Sequence, residues 1–95
     1  MDEYKKRILS SLETGNVRLS AHFLKRCQDR GGNYFDAERV LRNGALDLKR
    51  CEGENLAFVG TDTKDRKSLV IVRIDDNESG RLVLVSFRPL DKGER

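Results

Sequence analysis

The sequence predicts an α+β domain: two or three short helices in the first half, packed on a four-stranded, mainly antiparallel sheet built from the second half. Three observations carry this reading. Apolar residues recur at helical spacing as far as residue 43, as in Tyr4, Ile8 and Leu12. From Ala45 the period changes to two, and β-branched runs such as Leu69-Val70-Ile71-Val72 and Leu82-Val83-Leu84-Val85 follow. The turns between those runs are short enough to join antiparallel neighbours.

Each element has local reasons. Residues 2–14 carry an apolar stripe of Tyr4, Ile8 and Leu12, widened by Leu9, and Gly15 can close the helix. A short extended piece spans 17–19. Ser20 is a good N-cap for a second helix over 21–30, which Gly31-Gly32 ends, with Phe23, Leu24 and Cys27 as its apolar side. Asn33 caps a third helix with Asp36 at the third helical position, a variant of the capping box, and Gly44 ends it. Its apolar side is Tyr34, Ala37, Val40 and Leu41. Leu46 and Leu48 then alternate with Asp47 and Lys49, as in a strand with one wet face. Residues 56–60 are apolar on both faces, 61–67 form a polar turn, and 68–75 and 81–88 are the two long strands, the second ending at Pro89. Residues 91–95 read as a loose tail.

The 95 residues suit one domain. Hydrophobic residues make up 37%; with the glycines added the share reaches about 45%, the ordinary globular range, so the chain should fold. Lys and Arg outnumber Asp and Glu by 19 to 16, a net charge of +3. That mild excess suits an anionic partner such as RNA, and equally a mixed-charge solvated surface. No run reaches the roughly 18 apolar residues that span a membrane, and the start lacks the apolar run of a signal peptide. A cytoplasmic protein with no membrane partner is expected. Cys27 and Cys51 match no CxxC spacing, and with one histidine a zinc site of the usual type is not expected. Two free thiols are the simplest account.

The residues richest in chemical possibility are His22, Arg26 and Arg30. At a spacing of four they turn only about 40° per step and stack on one helix face, with Lys25 and Asp29 beside them. Guanidinium groups grip phosphate bidentately, and an imidazole moves a proton near neutral pH. A solvated helix face bearing charges is the plain alternative. Arg73 interrupts an apolar strand and Arg88 ends the last one, so each is either at a wet strand end or aimed at a ligand. Lys64-Asp65-Arg66-Lys67 reads as a solubilising hairpin tip. Tyr34 and Phe35 could stack on a base, although aromatics at a helix start more often join the core. The chain has no GxxxxGK[ST] loop, no GxGxxG after a strand and no serine nucleophile elbow. Nucleotide-dependent chemistry is therefore not expected, and one histidine cannot supply a base–acid pair of histidines.

Leu19-Ser20-Ala21-His22, then Arg26, then Arg30-Gly31, then Asp36 and the helix to Gly44 resembles the bacterial DUF4258 family. The resemblance covers roughly residues 17–89, including the two long strands and Pro89. Gly32 stands where the family often has a hydrophobic residue, and Phe87 where it often has tyrosine. The family in turn looks like the superfamily of RelE-type, barnase-like and colicin-like ribonucleases (the BECR fold), small α+β toxins that cut RNA without metal. The resemblance implies a metal-independent endoribonuclease of a toxin–antitoxin pair, with no cofactor, RNA as substrate and an antitoxin as protein partner. His22, Arg26 and Arg30 would be the catalytic set, with Arg88 joining, and Lys25 and Arg73 would contact RNA phosphate. The alternative is a non-catalytic nucleic-acid- or protein-binding module using the same basic helix face.

Overall fold

A computed structural model describes residues 2–78 and 80–91. The tail expected over 91–95 lies, apart from Asp91, outside them. Three helices, α1 (Asp2–Thr14), α2 (Ala21–Arg30) and α3 (Tyr34–Asn43), alternate with or precede five strands. The strands are β1 (Val17–Leu19), β2 (Ala45–Leu46), β3 (Leu56–Thr61), β4 (Lys67–Asp75) and β5 (Arg81–Pro89). The sheet order is β1-β5-β4-β3-β2.

The α+β class agrees with expectation; the sheet does not in two respects. It has five strands, because Val17–Leu19 pairs in parallel with Leu82–Leu84 and makes the sheet mixed. A three-residue strand carries almost no periodic signal, so only its docking on β5 makes it a strand. The strand expected over 45–49 is also cut short. Asp47 accepts a hydrogen bond from the Lys49 N–H at 3.1 Å and pairs with Arg50 at 2.6 Å, which curls Leu48–Arg50 into a 3-10 turn. Leu48 is left 72% exposed. Those contacts also hold the Asp47 carboxyl below its usual range, the hydrogen bond from Arg50 foremost.

The helices all lie on one face of the sheet. The main core joins Ile8 and Leu12 of α1, Phe23 and Cys27 of α2, and Ala37, Val40 and Leu41 of α3 to Phe58, Val70, Val72, Leu82, Leu84 and Phe87 of the sheet. Leu24 does not join them; it is 51% exposed, because the stripe on α2 is only as wide as the Phe23 and Cys27 positions. The other sheet face carries a smaller cluster of Ala57, Leu69 and Leu90, with Cys51, Val59 and Ile71 against it. Burial pushes the Cys27 thiol up, and the nearby Asp36 adds to the effect. Both cysteines are free.

The register of β4 with β5 slips between Ile71, opposite Ser86, and Val72, opposite Leu84. Val85 is thereby the extra residue of a bulge. Its carbonyl turns to the Ser20 hydroxyl, which donates to it at 3.1 Å. The irregularity in β5 thus anchors the residue at which α2 begins. No helix among the described residues is long and apolar enough to cross a membrane.

Candidate functional site

Helix α2 is fixed at both ends. At its start the Ser20 Oγ accepts the Phe23 N–H at 3.0 Å while donating to Val85. At its end Gly31 turns left-handed, φ 65°, a conformation that costs glycine least. The Gly32 N–H then donates to the Cys27 carbonyl at 2.8 Å. With Phe23 and Cys27 buried against the sheet, His22, Arg26 and Arg30 come out on a neighbouring face of the helix.

His22 and Arg30 are exposed and Arg26 is half-buried. The Arg26 Nε lies 3.5 Å from the His22 Nε2, at the long end of hydrogen bonding, with Arg26 as donor. A neutral ring accepting there carries its proton on Nδ1. Lys25 and Arg30 have no ion-pair partner among the described residues. An arriving phosphate would compete with His22 for the Arg26 guanidinium and so release the Nε2 lone pair.

Arg73 and Arg88 do not join this group. Phe87 faces the helices, so Arg88 faces away, opposite Leu69 in register. Arg73 is opposite Val83, and Arg18 of β1 flanks Val83 from the other side. The open face of the sheet therefore carries Arg18 and Arg73 on either side of Val83, with Arg88 further along β5 opposite Leu69. Val83 between Arg18 and Arg73 is only 1% exposed, and arginine stems are well suited to cover such a residue while their heads stay wet. Arg18 could not be chosen from the sequence, because β1 had no recognisable register.

The turn after β3 has more to do than keep the hairpin soluble. Arg66 donates to the carbonyls of Arg30 at 3.0 Å and Gly31 at 3.3 Å, closing the free carbonyl end of α2. Its Nε pairs with the buried Asp62 at 3.0 Å, and Asp62 also accepts the Lys64 and Arg66 N–H groups and the Ser68 hydroxyl. Lys64 pairs with the buried Asp36 at 3.2 Å. The only hint in the sequence was the spacing of four between Asp62 and Arg66. Arg66→Ala is expected to cost about 2 kcal/mol, since it strips a buried carboxylate of its charged partner. Urea denaturation would measure it, and a loss below a few tenths of a kcal/mol would show that water replaces the guanidinium.

Among the described residues, no group of three His, Cys, Asp or Glu side chains is placed to hold a metal ion. Comparison with protein-family models, with curated proteins and with solved structures finds no match.

Proposed function

We propose that this protein binds RNA through the phosphate backbone and cleaves it without a metal ion, using the His22–Arg26–Arg30 face of α2. The observation that carries the reading is the 3.5 Å approach of Arg26 Nε to His22 Nε2, on an accessible helix face with Arg30 one turn further on. A proton acceptor beside a phosphate grip is the minimum such a reaction requires. In the proposed step Arg26 and Arg30 take the phosphate. His22 removes the proton from the ribose 2′-hydroxyl, whose oxygen attacks phosphorus. The bond to the 5′-oxygen breaks, and that oxygen takes a proton from solvent, leaving a 2′,3′-cyclic phosphate. The arginines stay protonated throughout and offset the charge that builds on the phosphoryl oxygens. Lys25 extends the grip along the same face. The resemblance to toxin-like ribonucleases points the same way, and an antitoxin would be the corresponding protein partner.

One observation favours a second reading, a non-catalytic RNA-binding module. Arg26 is the only hydrogen-bond partner His22 has among the described residues, so no side chain orients its ring from the other nitrogen. Both readings predict backbone binding that weakens steeply as salt rises.

Incubation of mixed-sequence RNA with purified protein in EDTA distinguishes them. Cleavage is expected, with rates down about 100-fold in His22→Ala, the scale of general acid–base catalysis, and comparably in Arg26→Ala. Intact RNA after incubation with folded wild type, together with salt-sensitive binding that survives His22→Ala, would transfer the assignment to the binding module.

A further inference from the structure

The outer face of α3 is a second place where RNA chemistry is assembled, and α2 has no part in it. Phe35, Glu38, Arg39, Arg42 and Asn43 lie within an arc of roughly 140° at 100° per residue, opposite the buried Asp36, Ala37, Val40 and Leu41. With Thr63 they line a depression of about 460 Å³. Phe35 is 66% exposed. Among the described residues its one ring contact is with Tyr34, edge to face at 5.7 Å between centroids. Tyr34 itself is half-buried against the core.

The walls of the depression are held rigidly. The Asn43 amide donates to the Thr61 carbonyl at 2.9 Å and accepts the Thr61 N–H at 3.0 Å. Thr63 donates to the buried Asp36 carboxylate through its N–H at 3.0 Å and also through its hydroxyl. Glu38 is offset by Arg42 at 3.2 Å. Arg39 has no ion-pair partner among the described residues, so a net positive charge stands one helical turn from the Phe35 ring.

An exposed aromatic ring beside an unpaired guanidinium, on a surface that need not rearrange, suits one polymer in particular. Single-stranded RNA offers an unpaired base face for the ring and a phosphate for the arginine. A duplex offers phosphates alone, because its base faces are already stacked. We propose that the Phe35–Arg39 face of α3 binds single-stranded RNA, an unpaired base stacking on Phe35 while Arg39 takes an adjoining phosphate. This rests on the RNA reading above and adds to it a preference for unpaired strands.

The test uses the full chain and a fluorescent, fully 2′-O-methylated RNA 12-mer, which lacks the hydroxyl nucleophile and so reports binding alone. Anisotropy titrations compare the single strand with the same strand in a duplex. Phe35→Leu is expected to weaken single-strand binding about tenfold, the scale of one base–aromatic stack, and to leave duplex binding unchanged. Phe35→Tyr should restore the single-strand affinity, and Arg39→Gln should weaken both and lower the salt dependence. Circular dichroism melting establishes that each variant is folded. Equal affinities of Phe35→Leu and wild type for the single strand would overturn the proposal and leave this face to a protein partner. If Arg26→Ala and Arg30→Ala still weaken binding in that case, the reading of α2 stands without it. Absence of any RNA binding by wild type would overturn both.

Discussion

Replacing Asp36 by alanine is expected to lower unfolding free energy by about 3 kcal/mol, the scale of losing a helix cap and leaving donors beneath it unsatisfied. For a domain of this size that corresponds to a fall in Tm of about 15 °C. Asp36 is the N3 residue of α3 and is fully buried. One oxygen accepts the Asn33 N–H at 3.0 Å and the Lys64 ammonium at 3.2 Å; the other accepts the Thr63 N–H at 3.0 Å and the Thr63 hydroxyl. One carboxylate thereby caps a helix and ties it to the β3–β4 hairpin. Alanine would leave buried or half-buried donors without a partner, which costs more than the bonds themselves were worth. Urea unfolding followed by circular dichroism measures the change, and a loss under 1 kcal/mol would mean that water fills the place of the carboxylate.

The same group makes stability depend on pH in a defined direction. Burial alone would raise the Asp36 carboxyl, but hydrogen bonds from Thr63, Lys64 and Asn33 outweigh it and hold it below its ordinary value of 3.8. A folded pKa below the unfolded one means that the unfolded chain binds the proton more readily. Its contribution is then present above about pH 4 and is lost as pH falls through the folded value. The stability gap between wild type and Asp36→Ala should be constant near neutrality and should narrow in acid. A gap that widens on acidification would reverse the assignment.

Gly44→Ala is expected to cost about 3 kcal/mol, the upper end of what overpacking does. Its φ is −86°, so conformational strain plays no part. A Cβ there would stand 2.4 Å from the Val40 carbonyl oxygen and 2.5 Å from that of Val59. Both obstacles are backbone, one on α3 and one on β3, and neither can rotate aside. A Cβ on Gly60 would likewise stand 2.8 Å from the Gly44 Cα, so the end of α3 and strand β3 meet main chain to main chain. Gly32 is hemmed in differently. Its Cβ would meet the Phe87 ring at 2.4 Å, a side chain and not main chain, though one fully buried in the core. If thermal denaturation of Gly44→Ala gives a Tm within a few degrees of wild type, the packing of α3 on β3 is looser than these distances imply.

Features of this protein whose causes are local are legible in its residues. The caps at Ser20 and Asn33, the left-handed close at Gly31 and the four-residue spacing of His22, Arg26 and Arg30 all act within one or two helical turns, and each is present in the structure. The long strands β4 and β5 were legible because their apolar runs exceed what a turn or tail would carry.

Contacts between distant segments form on folding and leave no local mark. Val17–Leu19 became a strand because β5 offered it a parallel edge. Arg66 became a cap because the β3–β4 turn folds onto the end of α2. Arg73 and Arg88 were parted from α2 because the pleat sends Phe87 towards the helices and its neighbour away from them. A one-residue shift in register reverses every side chain of a strand, so residue types alone cannot say which face a strand arginine serves. The bulge at Val85, one such irregularity, shifts the register between Ile71, opposite Ser86, and Val72, opposite Leu84, and neither strand's residue types announce it.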